Sequence, residues 1–214
     1  SAFMELNYNW ATVASSANLA SWFCHEEREV RSTTAHNIHE TTTRHQPGGT
    51  GMACRYEFLQ YARKPSNDFR GLGRWCSWPF YCNPTHSTRI VVAYRTGSGK
   101  SNGLRTIYQE VCYNTIIAGT PQQLFDKDLL HQCKQWRKAG ERIILLMDVN
   151  EHVLTGKFNR QISRTGLDLE EFTHKCWGAN QPYTHINGSI PINGGYKSPE
   201  IEVMNVCMLL FLDS

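Results

Sequence analysis

Short apolar runs, separated by Gly, Pro and Asn, are the main pattern along this chain. Runs of this kind, with turn residues at both ends, are typical of β-strands. They predict strands at 51–58, 89–94, 142–147 and 200–208. The apolar stretches 143–147 and 207–212 are far shorter than the roughly 18 to 20 residues that cross a bilayer. The sequence therefore predicts no transmembrane helix.

Between these predicted strands, apolar residues recur with helical spacing. They predict a helix at 122–139 that Gly140 is placed to end. A second helix is predicted at 167–177, whereas 31–51 has no clear period and is predicted to be a loop. Alternating strands and helices, with no internal repeat, favour an α/β (α+β) fold in which helices cover the sheets of one domain.

Composition and charge narrow the class of protein. Of 214 residues, 40% are hydrophobic, and 22 Lys and Arg against 19 Asp and Glu leave a formal charge of only +3. This composition supports a packed core and argues against a strongly basic protein. Eight cysteines without a C-x-x-C pair indicate reduced, mostly buried thiols of an intracellular protein.

A zinc site is the alternative use of these cysteines and histidines. The candidate sets are Cys76, Cys82 and His86, or His36, His39 and His45. Neither set has the spacing of a zinc finger, ribbon or knuckle. Scattered histidines are therefore the favoured interpretation.

The segment 142–152, RIILLMDVNEH, is the most informative part of the sequence. Its apolar run leads directly into Asp148 and Asn150, and the carboxyl end of a buried strand is where open sheets bind ligands. In extended backbone, residues at i and i+2 lie on the same side, about 7 Å apart. An acid and an amide could there address one phosphate and its attacking water. The alternative is an Asx-turn that merely ends the strand.

Six blocks in fixed order resemble the endonuclease/exonuclease/phosphatase superfamily (DNase I-like), in particular its transposon-associated endonuclease branch. The blocks are MELNYNW at 4–10, QPGGTGM at 46–52, GLGRW at 71–75, RIVVAYR at 89–95, LLMDVNEH at 145–152 and THINGSIPINGGYKSP at 184–199. They extend over nearly the whole chain, and W-R-K-x-G precedes the DVN strand. The resemblance implies a four-layer sandwich of two packed β-sheets flanked by helices, with the active site at one end.

The resemblance also implies residue roles. Glu5 would be a ligand of Mg²⁺ or Mn²⁺, Tyr94 would hydrogen-bond a non-bridging phosphate oxygen, and Arg95 would add charge for substrate binding. Asp148 would orient and deprotonate the attacking water, and Asn150 would hold the scissile phosphate or its metal. The implied reaction is metal-dependent hydrolysis of a phosphodiester, with DNA as the favoured substrate.

The sequence departs from the family pattern in three ways. No strand with an Asn precedes Glu5, no His follows His185, and Asn193 in PINGG stands where the family has an Asp that supports the metal. These departures predict a single domain over 1–214 that lacks its first strand and its terminal Asp-His segment. Together with the resemblance, they predict a mobile-element endonuclease with impaired catalysis. Its expected location is intracellular, including the nucleus.

Parts of the sequence suggest three alternatives to a mobile-element endonuclease, of which the first, an NTPase, is disfavoured. The GSGKS segment at 97–101 is not a P-loop, because Tyr94 occupies the position of the first Gly. A non-catalytic nucleic-acid-binding remnant would use interleaved basic and aromatic residues. These are Arg70, Arg74, Arg89, Arg95, Lys100 and Arg105, with Trp75 and Trp78. A phosphoesterase of inositol lipids or other small molecules is the third alternative, and the sequence leaves the oligomeric state open.

Overall fold

The computed structural model describes residues 1–4, 6, 19, 29–39, 49–83, 85–97, 119–178 and 189–206. Their strands are β1 (Ala2–Met4), β2 (Val30–Ala35), β3 (Thr50–Arg55), β4 (Ser66–Asn67), β5 (Trp75–Asn83), β6 (His86–Tyr94), β7 (Arg142–Asp148), β8 (Glu170–Glu171) and β9 (Asn193–Lys197). Their helices are α1 (Tyr56–Leu59), α2 (Pro121–Lys138), α3 (Lys157–Thr165) and α4 (Thr173–Trp177).

These described strands form two sheets. One has the order β1-β3-β2, and the other has the order β4-β5-β6-β7-β9-β8. All neighbours are antiparallel except β6 and β7, which run parallel with Tyr94 beside Asp148. Parallel neighbours need a long crossover connection, and α2 lies in the segment that joins β6 to β7.

The six-stranded sheet is covered on both faces. Val91, Ala93, Leu145 and Met147 pack with α2 and α3 in one core. Alternate side chains of the same strands face the other way, and there Val92 joins Met52 of the three-stranded sheet in a second core. The predicted fold class, two β-sheets packed face to face with helices outside, is therefore confirmed.

The best-predicted elements are those with the strongest periodic pattern. Strands β6 and β7 contain the predicted 89–94 and 142–147, and α2 lies within one residue of the predicted 122–139 at each end. Helix α2 begins at a capping box in which the Thr120 hydroxyl accepts from Gln123 N and the Gln123 side chain accepts from Thr120 N. Gly140 follows the helix in the left-handed region, with φ of 82°.

Four sequence predictions about local structure were wrong wholly or in part. The strand predicted at 51–58 ends at Arg55, where α1 begins. The loop predicted from residue 31 instead begins with β2, whose six residues all pair with β3. Strand pairing supplied the hydrogen bonds that the polar sequence of β2 did not indicate.

The predicted helix at 167–177 forms only in its carboxyl-terminal part, and Glu170–Glu171 is strand β8. Leu167 and Leu169 are buried while Asp168 and Glu170 are exposed, and this alternation of period two suits an extended chain. Phe172 is also buried, and only Thr173–Trp177 is helical. The predicted strand at 200–208 is also absent from the described residues 200–206, because a turn at Pro199 and Glu200 ends the sheet. Residues 207 and 208 lie outside the described part of the chain.

Two chemical expectations concern cysteines and membrane spans. The described cysteines Cys54, Cys76, Cys133 and Cys176 are all free thiols. Burial raises the pKa of Cys76 and of Cys133 to about 12, so both stay protonated at neutral pH. Within the described residues, no helix is long and apolar enough to cross a membrane.

Candidate active site

Three predicted site residues lie side by side at one edge of the six-stranded sheet. Tyr94 is the last residue of β6, Asp148 the last of β7 and Asn193 the first of β9. The strand register pairs Tyr94 with Asp148 and Asp148 with Asn193. Directly paired residues point to the same face of a sheet, and neighbouring strands are about 4.8 Å apart. The fold therefore gathers a phenol, a carboxylate and an amide in one row.

This row faces the space between the two sheets. Tyr94 lies two residues after Val92, and alternate residues of a strand share a face. Val92 belongs to the core that contains Ala35 and Met52 of the other sheet. Strand β1, which ends at Met4, contacts both β6 and β7. Glu5, the predicted metal ligand, lies outside the described residues, so its distance from Asp148 stays untested.

Asn150 is held against this row by a tight turn. Its backbone N–H donates to Oδ1 of Asp148 at 2.9 Å, which is an Asx-turn, and its Nδ2 donates to the Arg95 carbonyl oxygen at 2.7 Å. Asn150 has φ of 53°, the left-handed region that Asn tolerates better than most residues. The Asx-turn expected as the structural alternative is present. It also fixes the orientation of both side chains that the catalytic hypothesis needs.

Arg95 is buried beneath this turn. Its Nε and Nη2 donate to the two carboxylate oxygens of Asp126 at 2.7 and 3.2 Å, and its Nη1 donates to the Val149 carbonyl oxygen at 3.2 Å. Glu151 lies 3.4 Å from the same Nη1. The guanidinium is thus committed to protein atoms. This geometry makes Arg95 a positioning residue. It gives no support to the predicted direct contact between Arg95 and substrate.

Two supporting carboxylates were missed by sequence reasoning. Asp126 comes from α2, and Glu151 both faces Arg95 and accepts from the Phe158 N–H in the first turn of α3 at 2.6 Å. Burial raises the pKa of the Asp126 carboxyl, and the bond from Arg95 offsets part of this rise. The only signal in the sequence was an acidic residue between Phe125 and Leu129 on the apolar side of α2.

A second buried ion-pair network lies behind Tyr94. The Tyr94 N–H donates to the Arg74 carbonyl oxygen at 2.8 Å. The Arg74 side chain is fully buried and donates to Asp68 and to Asp128, and Arg70 also pairs with Asp128. These bonds fix the end of β5 that adjoins Arg74 against α2. They therefore also hold the end of β6 at which Tyr94 lies.

Five of the eight residues of the predicted nucleic-acid-binding face are buried. Arg74, Arg89 and Arg95 are buried in ion pairs, and Trp75 and Trp78 lie in the two cores. Lys100 and Arg105 lie outside the described residues. A buried arginine cannot exchange counterions with a phosphate backbone, so these five residues do not form the binding face that this alternative requires.

The donor atoms suit a hard cation better than zinc. Asp148, Asn150 and Asn193 offer carboxylate and amide oxygens, which Mg²⁺ prefers, and Mg²⁺ commonly takes only one or two protein carboxylates together with water and phosphate. Among the described residues, no three His, Cys, Asp or Glu side chains cluster to hold a metal by themselves. This includes His36 and His39 of one proposed zinc set, whereas His45 lies outside the described residues.

Comparisons with known proteins agree with this architecture. No protein-family model matches the sequence, and no curated protein matches it significantly. Among solved structures, the chain is similar to the 3′ phosphatase NExo from Neisseria, determined bound to a product DNA hairpin. The TM-score is 0.60 at 10% identity, and the match covers 92% of this chain and 75% of NExo.

The chain is also similar to the human Nocturnin catalytic domain, determined with a bound sulfate anion. The TM-score is 0.52 at 11% identity, and the match covers 79% of this chain but only 61% of the Nocturnin chain. Both neighbours are DNase I-like members of the endonuclease/exonuclease/phosphatase fold, and this is the fold of the chain. At this identity the similarity establishes the fold alone, and the transposon-associated branch stays a prediction.

Proposed function

We propose that this chain is a phosphodiesterase domain that hydrolyses DNA in a Mg²⁺-dependent reaction. The observation that carries the proposal is the aligned row of Tyr94, Asp148 and Asn193, with Asn150 locked beside it at one end of a DNase I-like sandwich. A phenol, a carboxylate and two amides in this arrangement match the needs of in-line attack on a phosphodiester. DNA is the favoured substrate because the sequence blocks resemble those of transposon-associated endonucleases and because NExo binds a DNA hairpin.

Each side chain has a role in this reaction. Asp148 accepts a proton from the attacking water as its oxygen bonds to phosphorus, and the bond from phosphorus to the leaving oxygen breaks. Tyr94 donates a hydrogen bond to a non-bridging phosphate oxygen. The Nδ2 of Asn150 is engaged by the Arg95 carbonyl, so its Oδ1 is the atom offered to the site. The leaving oxygen takes its proton from solvent.

Glu5 and Asn150 are the residues proposed to hold the cation, and Asp148 is kept for the attacking water. When bound, Mg²⁺ would neutralise part of the phosphate charge that grows in the transition state. Asn193 replaces a negative carboxylate by a neutral amide of nearly the same shape. We therefore propose a rate below that of a domain with Asp at this position, which is the impaired catalysis expected from the sequence. Origin in a mobile element and action in the nucleus belong to the same proposal.

Nicking of supercoiled plasmid in Mg²⁺, with and without EDTA, tests the function. We expect nicking that EDTA abolishes and that Asp148→Ala reduces at least about 100-fold, as for loss of a general base. The matched control is Asp168→Ala, which removes a carboxylate whose side chain is half exposed and which forms an ion pair with Arg137. Nicking that survives Asp148→Ala, or that Asp168→Ala reduces equally, would overturn the assignment.

A further inference from the structure

A concave groove lies between helices α2 and α3, on the outer side of the sandwich. It has a volume of about 360 Å³. The residues that line it are Gln123, Asp126, Lys127, Leu130, His131, Lys134, Gln161 and Thr165. Lys127, His131 and Lys134 are spaced by four and three residues, so they form one stripe along α2. We call this feature the α2–α3 groove.

Positive charge dominates the two helices that form the groove. Seven Lys and Arg against two Asp give them a formal charge of +5, which exceeds the +3 of the whole chain. The two carboxylates, Asp126 and Asp128, are both buried and paired with internal arginines. Among the described residues, neither Lys127 nor Lys134 has a recorded interaction with a carboxylate. The charge on this surface is therefore available to a partner.

The groove is connected to the candidate active site by direct contacts. Asp126 lines the groove and also holds Arg95, which supports the turn of Asn150. From the first turn of the same helix, Gln122 donates to the Thr96 and Gly97 carbonyl oxygens at 3.2 and 2.7 Å. A polyanion seated in the groove would thus lie one ion pair away from the end of β6.

We propose that the α2–α3 groove binds the phosphate backbone of the nucleic acid that flanks the scissile phosphodiester. The inference rests on the proposed function for the identity of that nucleic acid as substrate. A concave site with cations along one wall fits a chain of phosphates, whereas a flat membrane surface cannot follow its concave wall. Lys127 and Lys134 supply point charges to successive phosphates, and Gln123 and Gln161 add amide donors.

The test is binding of a fluorescent DNA duplex in EDTA, where no turnover occurs, measured by anisotropy over a series of salt concentrations. The variant is Lys127→Ala with Lys134→Ala. The control is Lys64→Ala with Lys175→Ala, which removes the same charge from exposed positions that do not line the groove. Each lost phosphate contact lowers the salt slope by about 0.9, so wild type should lose about 12-fold more affinity than the groove variant between 50 and 200 mM salt.

Other results would overturn the inference. Equal salt slopes for the groove and control variants would do so, as would wild-type protein that shows no salt-dependent binding. Binding to phosphatidylserine vesicles that falls in the groove variant while DNA binding is unchanged would assign the groove to a membrane instead. Hydrolysis of bis(4-nitrophenyl) phosphate in Mg²⁺ separates the two proposals, because it needs the catalytic row but not the groove. Failure there with intact groove-dependent binding would reject only the proposed function.

Discussion

The buried contacts of Arg95 predict a large and specific effect of Arg95→Met. Methionine keeps the length and apolar character of the side chain but removes its charge and all of its donors. Asp126 would lose both charge-assisted bonds, and the Val149 carbonyl oxygen would lose its donor. Glu151 would lose its nearest cation. The turn that carries Asn150 would then keep its own bonds and the bond from the Val149 N–H to the Ile192 carbonyl oxygen, but it would lose the guanidinium beneath it.

The expected magnitude follows from burial. The Arg95 and Asp126 side chains are only 5% and 11% exposed. Removing one partner of such a buried pair costs about 3–5 kcal/mol, because the other charge is left in the interior. A domain of this kind has a free energy of unfolding of about 5–15 kcal/mol, so urea denaturation should reveal the loss directly.

Arg137→Met is a closely matched control. Arg137 also forms two bonds with one carboxylate, Asp168, lies near a second, Glu200, and donates to a backbone carbonyl, that of Glu141. Its two carboxylate partners, however, are 50% and 44% exposed. Exposed ion pairs contribute about 0–1 kcal/mol, so the same substitution should cost far less here.

The dependence on pH gives an independent check. Burial already raises the pKa of Asp126 above its ordinary value of 3.8, and loss of Arg95 removes the largest influence that opposes this rise. When folding raises the pKa of a carboxyl, the free energy of unfolding falls as pH rises from the pKa of the unfolded state to the pKa of the folded state. This interval is wider in the variant. The stability difference between wild type and Arg95→Met should therefore shrink as pH is lowered from neutrality towards 3.8.

A double variant separates stability from positioning. Replacing both members by apolar residues, Arg95→Met with Asp126→Leu, removes the uncompensated charge and should recover most of the stability. Plasmid nicking should stay reduced about 10 to 100-fold, as for loss of a residue that orients the reacting groups. If Arg95→Met costs no more than Arg137→Met, or if the double variant recovers full nicking, the assigned role of Arg95 is wrong.

Two further predictions concern strand β9. A Cβ at Gly195 would lie 2.6 Å from Cε1 of Phe172, so Gly195→Ala should lower the free energy of unfolding by about 1–3 kcal/mol. The control is Gly97→Ala, which should be neutral or slightly stabilising because a Cβ there makes only an ordinary contact with Asn150. Equal costs of the two substitutions in urea denaturation would contradict the packing. Asn193→Asp would place a second carboxylate directly opposite Asp148, so Mg²⁺ should raise its melting temperature more than that of wild type, consistent with about tenfold tighter binding. An identical Mg²⁺ response in the two proteins would show that Asn193 does not face the cation.

Local pattern was sufficient for the elements that bury a regular apolar face. Helix α2, both ends of β7 and the last residue of β6 were predicted to within one residue, because their apolar spacing matches the period of each structure, whereas β6 begins three residues before its predicted start. Helix α3 was missed because only Phe158 and Ile162 of its nine residues are buried. Strand β5 was missed because its aromatic residues were interpreted as a binding face, although Trp75 and Trp78 pack into opposite cores.

The sequence by itself determined the Asp148 and Asn150 pair at the carboxyl end of a buried strand, because the Asx-turn that joins two residues so close in the chain is a local relation. Only the tertiary structure decided that Asn193, 45 residues later, lies opposite Asp148, since strand register is set by pairing between distant segments. It also decided that Arg95 turns inward to Asp126 of α2, whereas Lys127, the residue after Asp126 in that helix, faces solvent. A basic side chain has the same chemistry in the sequence wherever it lies. Whether it binds substrate or holds the site together depends on which carboxylate the fold buries beside it.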